Sequence, residues 1–394
     1  MTAPAIPTAV ESLLVKIGRE HGKSAIAVNP PVHRASTFLF ESLADFEAAA
    51  TAPFDGPFYG RVGTPTTFAF EQAVCQLEGG HRTIATSSGV AAISAALLAF
   101  LDRGDHVLVV DTVYEPVRRF CSRMLSRLGI ETTFYDPAMG EDIAGLVRPE
   151  TRVIYMESPG SGTFEIQDIQ AIVKIARLHN LRTIIDSTWA TPLFLQPLSL
   201  GVDVSIHAAT KYIVGHSDAM LGAVTTNEDS YDAVRKATQD LGAAAGSEES
   251  NLGLRGLRTL SVRLRQHEAS ALTLAKWLET RSEVARVFHP ALPSFAGHDL
   301  WKRDFSGSCG LFSIELAPCD PVSVREMVDN FRHFGIGFSW GGYESLVLPV
   351  HPEKSRQVMK WDGQGAVLRL HVGLEAMEDL QADLQDGLAR LRPA

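Results

Sequence analysis

The sequence predicts an α/β protein with a mostly parallel sheet in a larger domain, followed by a smaller α+β domain. Between about residues 84 and 211, short apolar runs alternate with helical stretches, and the runs are apolar on both faces. This pattern is typical of a parallel sheet covered by helices on both faces. Past residue 255 the alternation stops. At roughly 100–200 residues per domain, 394 residues suggest two or three domains.

Composition and charge exclude several classes of protein. A net charge of −10, from 36 basic and 46 acidic residues, argues against binding to nucleic acid or anionic membrane. The longest apolar run, 89–101, is too short to span a bilayer, and the first residues lack the charged and apolar regions of a secretory signal. We therefore expect a soluble, cytoplasmic protein. The four cysteines lack Cys-x-x-Cys or zinc-finger spacing, which favours buried thiols.

The first 60 residues are rich in Pro, Thr and Gly. Asn29-Pro30-Pro31 and Phe54-Asp55-Gly56-Pro57 are strong turn signals that disfavour long helices, so this segment is predicted to be an extended arm. A helix is predicted next, over 66–78, because Phe70, Val74 and Leu77 share one face and Gly79-Gly80 follows.

The central segment carries the predicted parallel strands. The apolar runs cover 106–110, 152–156, 182–185 and 202–206, and helices are predicted over 116–128 and 167–179. Ligands of such sheets bind at the carboxyl ends of the strands. The candidate residues at or after these ends are Asp111, Glu157, Asp186 and Lys211.

The C-terminal segment is predicted to form the smaller domain. Leucines spaced by three, four or seven predict one long helix from Leu257 to Leu278 and a last helix from Met377 to Leu391. Two strands are predicted between them, over 309–316 and 366–372. The predicted organisation is an arm at 1–60, a larger domain at 61–255 and a smaller domain at 256–394.

Ser87-Ser88-Gly89-Val90 precedes an apolar helix. Free backbone N–H groups and the positive end of the helix dipole at such a position suit a phosphate group. An ordinary helix cap without a ligand explains the same residues.

Asp186 follows the buried run 182–185. A carboxylate there is costly to desolvate unless it meets a cation or hydrogen-bond donors, and a protonated pyridine nitrogen is one such cation. The alternative is an aspartate that caps the next turn.

Lys211 follows an apolar strand, where burial should lower the pKa of its amine and make it a usable nucleophile. Thr210 beside it offers a hydroxyl to a phosphate. A solvated lysine at a strand end is the alternative. Together the three elements fit a phosphate, a pyridinium and an aldehyde, and pyridoxal 5′-phosphate (PLP) has all three.

Five motifs give the sequence a family resemblance. It resembles the Cys/Met-metabolism branch of PLP-dependent enzymes from about residue 20 to 391. The resemblance implies the aspartate-aminotransferase-like fold (PLP fold type I), with a mostly parallel seven-stranded sheet in the large domain. The motifs are Tyr59-Gly-Arg-Val-Gly-Thr64, Tyr114-Glu-Pro116, Glu157-Ser-Pro159, Ala209-Thr-Lys-Tyr-Ile-Val-Gly-His-Ser-Asp218 and Ser339-Trp-Gly-Gly-Tyr-Glu-Ser345.

The resemblance also implies roles for individual residues. Lys211 would bind the cofactor aldehyde, Asp186 would pair with the ring nitrogen and Tyr114 would stack on the ring, which makes these three the catalytic candidates. Ser88, Gly89, Val90 and Thr210 would hold the phosphate, together with Tyr59 and Arg61 of a neighbouring subunit. Arg369 would bind the substrate carboxylate, with Ser339, Trp340 and Tyr59 beside it; a surface ion pair for Arg369 and a core position for Trp340 are the alternatives without the resemblance.

The reaction implied is β-elimination at the Cβ–S bond of L-cystathionine or another cysteine S-conjugate, by a homotetramer. Sister enzymes that act at the γ-carbon share Lys211 and Asp186, and a PLP-binding regulatory protein is a further alternative. Trp340 and Pro116 favour β-elimination, because the sister enzymes commonly carry other residues at these positions. Ala208 stands where many relatives have a serine, and Val62 and Arg119 stand where some have Arg and Asp.

Overall fold

The computed structural model describes residues 9–19 and 27–394. In this part of the chain the backbone forms two β-sheets, one of seven strands and one of five. The larger sheet lies in the first two thirds of the chain and the smaller sheet in the last third. The predicted α/β class and the smaller C-terminal domain are therefore confirmed.

The larger sheet has the order β1-β7-β6-β5-β4-β2-β3. The neighbours from β3 to β6 pair in parallel, and β7 runs antiparallel to both β6 and β1. The mostly parallel sheet of seven strands is as expected. Its strands are β1 (Arg82–Thr86), β2 (His106–Val110), β3 (Glu131–Tyr135), β4 (Thr151–Glu157), β5 (Arg182–Asp186), β6 (Val204–His207) and β7 (Gly222–Thr226).

Helices cover this sheet, and their ends follow from the sequence. The predicted helix 66–78 begins one residue earlier, at Pro65, because the side chain of Thr64 caps it, and it ends where Gly79 adopts φ 64°. The helices of this region are α3 (Pro65–Glu78), α4 (Gly89–Leu98), α5 (Glu115–Phe120), α6 (Ser126–Leu128), α7 (Ile169–Leu178), α8 (Thr191–Phe194), α9 (Glu228–Asp240) and α10 (Ser247–Leu257).

Two helix predictions need correction. The helix predicted over 116–128 contains a π-helical turn, Cys121–Leu125, between α5 and α6. The long helix predicted from Leu257 divides: Leu257 ends α10, and Thr259 lies at the N-cap position of the next helix, α11 (Leu260–Leu278). Leucine spacing continues across that break because Leu257 and Leu260 are both buried, so periodicity alone does not detect it.

The C-terminal sheet has the order β10-β11-β12-β9-β8. Helices α11, α13 and α15 supply leucines and a methionine to the core of this region. The last helix ends at Leu388, three residues before the predicted Leu391. The elements are β8 (Val284–Phe288), α12 (His298–Asp304), β9 (Leu311–Leu316), α13 (Pro321–Asp329), β10 (Gly335–Ile336), β11 (Leu346–Val350), α14 (Pro352–Ser355), β12 (Val367–His371) and α15 (Met377–Leu388).

The predicted arm contains two short helices, α1 (Val10–Lys16) and α2 (Leu43–Thr51). Residues 1–8 and 20–26 of the arm lie outside the described residues. Helix α1 is anchored to the long helical region, because Leu14 is buried and its carbonyl oxygen accepts a hydrogen bond from Arg258 Nη1 at 2.7 Å. Among the helices in residues 9–19 and 27–394, none has the length and apolar character needed to cross a bilayer.

Candidate active site

Two buried carboxylates lie side by side at the carboxyl end of the larger sheet. Glu157 ends β4 and Asp186 ends β5, and the two residues are paired in register. Asp186 Oδ1 accepts hydrogen bonds from the Thr188 amide at 2.9 Å and the Thr188 hydroxyl at 2.5 Å. Burial raises the pKa of Asp186, although these bonds oppose the increase. A cation beside Asp186 would therefore be bound strongly.

Glu157 fixes the position of Tyr114. Its Oε2 accepts a hydrogen bond from the Tyr114 backbone amide at 2.7 Å, and its Oε1 accepts one from the Ser161 hydroxyl at 2.5 Å. Burial and then the nearby charge of Asp186 raise the pKa of Glu157 to about 8. The Tyr114 side chain is 43% exposed in this chain, so its ring is accessible to a planar ligand.

Lys211 lies four residues after the end of β6, in the turn that links β6 to β7. Its Nζ donates a hydrogen bond to Ser339 Oγ at 2.6 Å and lies 5.4 Å from the centroid of the Trp340 ring. Burial and then the positive charge of Arg369 lower the pKa of Lys211 to about 8, while Asp186 opposes that effect. The predicted depression of its pKa is thus confirmed, and a sizeable neutral fraction of the amine exists near neutral pH.

Arg369 belongs to the C-terminal sheet but lies beside Lys211. It occupies the middle of β12, and its Nη2 donates a hydrogen bond to the Ser339 carbonyl oxygen at 3.0 Å. Burial lowers the pKa of Arg369. An arginine remains cationic even so, and its planar group can bind a carboxylate in two parallel hydrogen bonds. Ser339 therefore links the lysine and the arginine.

The loop that carries Ser339 is held in an unusual backbone conformation. Ser339 has φ 74° and Gly341 has φ 87°. A Cβ atom at Gly341 would lie 2.8 Å from the Tyr212 nitrogen and 3.0 Å from Lys211 Cα. The Gly341 amide also donates to His371 Nε2 at 3.1 Å. Glycine is required here because the loop passes directly against the backbone that bears Lys211.

The predicted phosphate site forms the N-terminus of α4. Ser88 caps this helix, and its hydroxyl oxygen accepts a hydrogen bond from the Ala91 amide at 3.1 Å. Gly89 and Val90 occupy the first turn, where backbone amides lack partners within the helix. A Cβ atom at Gly89 would lie 2.6 Å from Ala208 Cβ, so the helix start meets the segment that leads to Lys211. The Thr210 hydroxyl donates to the Leu221 carbonyl oxygen and accepts from its amide.

Tyr59 and Arg61 lie elsewhere in this chain. Arg61 Nη1 donates to both the backbone carbonyl and the side-chain oxygen of Gln239 at 3.0 Å, and Tyr59 is 44% exposed. Within the described residues, neither side chain contacts the lysine or the paired carboxylates. Six other predicted site residues lie together. Hydrogen bonds join Lys211, Ser339 and Arg369, and Trp340 lies beside the lysine. The charge of Asp186 acts on Lys211, and Glu157 joins the Tyr114 amide to the strand end next to Asp186.

These residues fit PLP on three structural grounds. The first turn of α4 presents amide groups to a phosphate, the buried Asp186 suits a protonated ring nitrogen, and Lys211 supplies a largely buried amine with a lowered pKa. The close approach of Gly89 to Ala208 brings the predicted phosphate site next to the lysine-bearing segment.

Sequence reasoning missed the residues that hold the site residues in place. Thr188 donates both bonds to Asp186, and Glu157 accepts the bond from the Tyr114 amide; neither its place at a strand end nor its family motif predicts that contact. His371 accepts a hydrogen bond from the Gly341 amide. It lies 30 residues after Gly341 in the chain and belongs to none of the family motifs. For Thr188, the two-residue spacing from Asp186 is typical of an aspartate turn and is a usable signal.

The fold and this combination of lysine, carboxylate and helix N-terminus define a PLP-dependent enzyme. A family model described as Cys/Met metabolism PLP-dependent enzyme matches residues 11–389, and the chain belongs to that family. The expected family membership, fold type and cofactor are therefore confirmed.

The relatives include enzymes with two different names. The chain is 43% identical over 389 residues to the cystathionine beta-lyase of Escherichia coli strain K12, covering 97% of this chain and 98% of the relative. It is 42% identical over 395 residues to an L-alanine/L-glutamate racemase of Wolbachia pipientis wMel, covering 97% of each. Among solved structures, cystathionine gamma synthase of Xanthomonas oryzae pv. oryzae is similar with TM-score 0.88 and 30% identity, covering 98% of this chain and 99% of that one.

Proposed function

We propose that this protein is a carbon–sulfur lyase that cleaves L-cystathionine to homocysteine, pyruvate and ammonia, a step of methionine biosynthesis. The observation that carries the proposal is the contact chain Lys211–Ser339–Arg369. In this chain of contacts only Ser339 separates an amine with a pKa of about 8 from a cation suited to an amino-acid carboxylate. Such an arrangement can remove the proton from Cα of a bound amino acid.

The roles of the individual residues follow from their chemistry. Arg369 binds the substrate carboxylate and so fixes Cα near Lys211. Lys211 accepts the Cα proton and then delivers a proton to the sulfur, which leaves with the electron pair of the Cβ–S bond. The remaining three-carbon fragment is hydrolysed to pyruvate and ammonia. Bound PLP supplies the electron sink for the charge left at Cα, and Asp186 favours that sink by stabilising a protonated ring nitrogen.

The names of the relatives support β-elimination. Relatives from E. coli, Salmonella typhimurium and Bordetella avium, at 41–45% identity, are called cystathionine beta-lyase. Trp340 agrees with this choice, because its ring lies against Lys211 and reduces the space beside the amine. Other cysteine S-conjugates with the same carboxylate and thioether are expected to be accepted as well.

A racemase is the second candidate, favoured by the relative with that name. Racemisation begins with the same removal of a Cα proton, so Lys211 serves both reactions. The two functions differ in the step that follows proton removal. Elimination releases the sulfur from Cβ, whereas racemisation returns a proton to the other face of Cα.

The experiment is to incubate the PLP-loaded protein with L-cystathionine and identify the products. Pyruvate with homocysteine supports the proposal. Formation of 2-oxobutyrate with cysteine would assign a γ-lyase instead, and D-alanine formed from L-alanine at a higher kcat/KM would assign a racemase. Bound PLP without turnover of any of these amino acids would favour a regulatory protein.

We also propose a cytoplasmic homotetramer in which Tyr59 and Arg61 serve the phosphate site of a neighbouring subunit. Three observations support it. All four cysteines are free thiols, which is usual in a reducing compartment. Leu39 and Leu43 of the predicted arm are 96% and 71% exposed. The arm also carries a cluster of three aromatic rings, Phe40, Phe46 and Phe58.

Mixing two inactive variants tests the shared site. If Arg61 acts in the neighbouring subunit, hybrids of Arg61→Ala and Lys211→Ala chains contain one intact site, and mixing after mild dissociation should restore about a quarter of the activity, by random pairing of equal amounts. No recovery would contradict the shared site. Light scattering, with a mass expected at four times 42.8 kDa, measures the assembly.

A further inference from the structure

Asp111 is a buried carboxylate that the proposed reaction does not use. It directly follows β2, and its side chain is fully buried. Its oxygens accept hydrogen bonds from three consecutive backbone amides of the C-terminal segment: Gln357 at 3.0 Å, Val358 at 2.9 Å and Met359 at 3.0 Å. Burial alone would raise the pKa of Asp111, but these bonds outweigh it and lower the pKa. The carboxylate is thus bound as an anion.

Neighbouring contacts reinforce this connection. Arg118 Nη2 donates to Asp111 Oδ1 at 2.9 Å and to the Asp111 carbonyl oxygen at 2.6 Å, which fixes the carboxylate on the larger domain. One residue before the three amides, the largely buried Arg356 donates to Glu165 Oε1 at 3.0 Å and also to the Thr163 hydroxyl. The segment 356–359 is therefore held to the larger domain by two separate charged contacts.

The anchored segment precedes the strand that carries Arg369, the residue proposed to bind the carboxylate. It lies between α14 and β12, and β12 carries Arg369. On the other side, Asp111 is three residues before Tyr114, whose amide is held by Glu157. Asp111 thus joins the strand end that presents Tyr114 to the chain segment that presents Arg369.

We infer that Asp111 is a positioning residue that sets Arg369 at the correct distance from Lys211 by holding segment 356–359 against the larger domain. The inference deepens the proposed function, since it assigns a residue to carboxylate recognition. The two groups come from different regions of the chain, and small displacements between them weaken binding of an amino acid whose carboxylate must meet Arg369 while its Cα lies near Lys211.

The chain offers a matched control in Asp383. This buried aspartate also accepts hydrogen bonds from three consecutive amides, of Arg332, His333 and Phe334 at 3.0, 2.7 and 3.4 Å. All of these residues belong to the C-terminal region. Asp383→Asn therefore breaks the same kind of contact as Asp111→Asn without touching the connection between the domains.

The test measures binding of glycine and glycinamide to the PLP-loaded proteins by the change in cofactor absorbance. Glycine has a carboxylate and no β-substituent, so it binds without elimination, and glycinamide lacks the carboxylate charge. Asp111→Asn should weaken glycine binding about tenfold and leave glycinamide within twofold. Asp383→Asn should leave both within twofold, although both variants should melt at lower temperatures than the wild type.

A second variant covers the case in which Asp111→Asn does not fold. Arg356→Gln breaks the other anchor of the same segment and should also weaken glycine selectively. The inference is wrong if the folded variants weaken glycine and glycinamide equally, or if Asp383→Asn has the same effect on glycine. The glycine and glycinamide binding measurements need no turnover. A wild-type protein that does not cleave L-cystathionine would therefore refute the proposed function, while the binding measurements would still decide this inference.

Discussion

The two sheets contribute different kinds of residue to one site. The larger sheet contributes groups whose proton affinity burial has shifted: Asp186 and Glu157 with raised pKa values and Lys211 with a lowered one. The C-terminal region contributes Arg369, which stays charged, and Ser339, which stays neutral. The proposed function therefore assigns proton transfer to the first region and recognition of the substrate to the second. Variants of the first should reduce kcat, and variants of the second should raise KM.

The largest effect is expected for Lys211→Ala. In the proposed function this change removes both the amine that binds the cofactor and the base, so kcat should fall by about 10⁴-fold or more. Steady-state pyruvate formation measures the loss. Lys174→Ala, which changes an exposed lysine paired with Glu141, should keep full activity. Near-normal turnover by Lys211→Ala would contradict its role.

Asp186→Asn should reduce kcat by about 10²- to 10³-fold, since a neutral amide no longer stabilises a protonated ring nitrogen. The absorbance of the bound cofactor should change as well. Asp203→Asn is the control, because Asp203 also accepts an amide and a hydroxyl bond, both from Thr183. Equal losses of activity in the two variants would indicate a general effect on the sheet.

Arg369→Lys tests the recognition side. The charge remains but the two parallel hydrogen bonds are lost, which costs about 1.5–3 kcal/mol, so KM should rise by about 10- to 100-fold with a smaller change in kcat. Arg332→Lys, in the same region but exposed and paired with Asp386, should match the wild type. A fall in kcat with unchanged KM would invert the comparison between the two regions.

Uptake of PLP by the cofactor-free protein should depend on pH through Lys211. Only the neutral amine attacks the aldehyde, so the uptake rate should be constant above about pH 8 and fall about tenfold for each pH unit below it, since the pKa of Lys211 is about 8. Stopped-flow absorbance measures this rate. Arg369→Met removes a positive charge that destabilises the Lys211 ammonium, so the pH profile of PLP uptake should shift to higher pH. A shift to lower pH would contradict the conclusion that Arg369 lowers the pKa of Lys211.

The smallest effect is expected for Ser339→Ala. Its hydroxyl accepts a hydrogen bond from the Lys211 ammonium, so its loss should lower the pKa of Lys211 by less than about one unit and change kcat by less than about fivefold. The same uptake profile should then shift to lower pH, opposite to Arg369→Met. Shifts of the two variants in the same direction would show that Ser339 does not stabilise the charged amine.

Much of the fold could be predicted because local patterns reflect burial. Largely apolar runs such as 106–110 and 182–185 form central parallel strands, and Gly79 ends a helix as expected. The division of the predicted long helix after Leu257 was missed. Leu257 before the break and Leu260 after it are both buried, so the hydrophobic spacing does not reveal the break.

The candidate site was predicted unevenly for a similar reason. Asp186 and Lys211 stand out because an ionisable residue after an apolar run is costly without a partner. Glu157 contacts the Tyr114 amide, 43 residues earlier in the chain, and Asp111 contacts the Gln357 amide, 246 residues later. No local pattern marks such partners.

The sequence by itself determined the class of fold, the family and the chemical types of the reacting groups, since these depend on periodicity and on short motifs. Only the tertiary structure decided how the groups are tuned and joined. Burial and neighbouring charges set the pKa of Lys211 near 8, and the close passage of Gly341 brings Ser339 and Arg369 to it from another sheet. Both effects depend on distances between residues far apart in the chain, which become fixed only when the larger domain and the C-terminal region pack together.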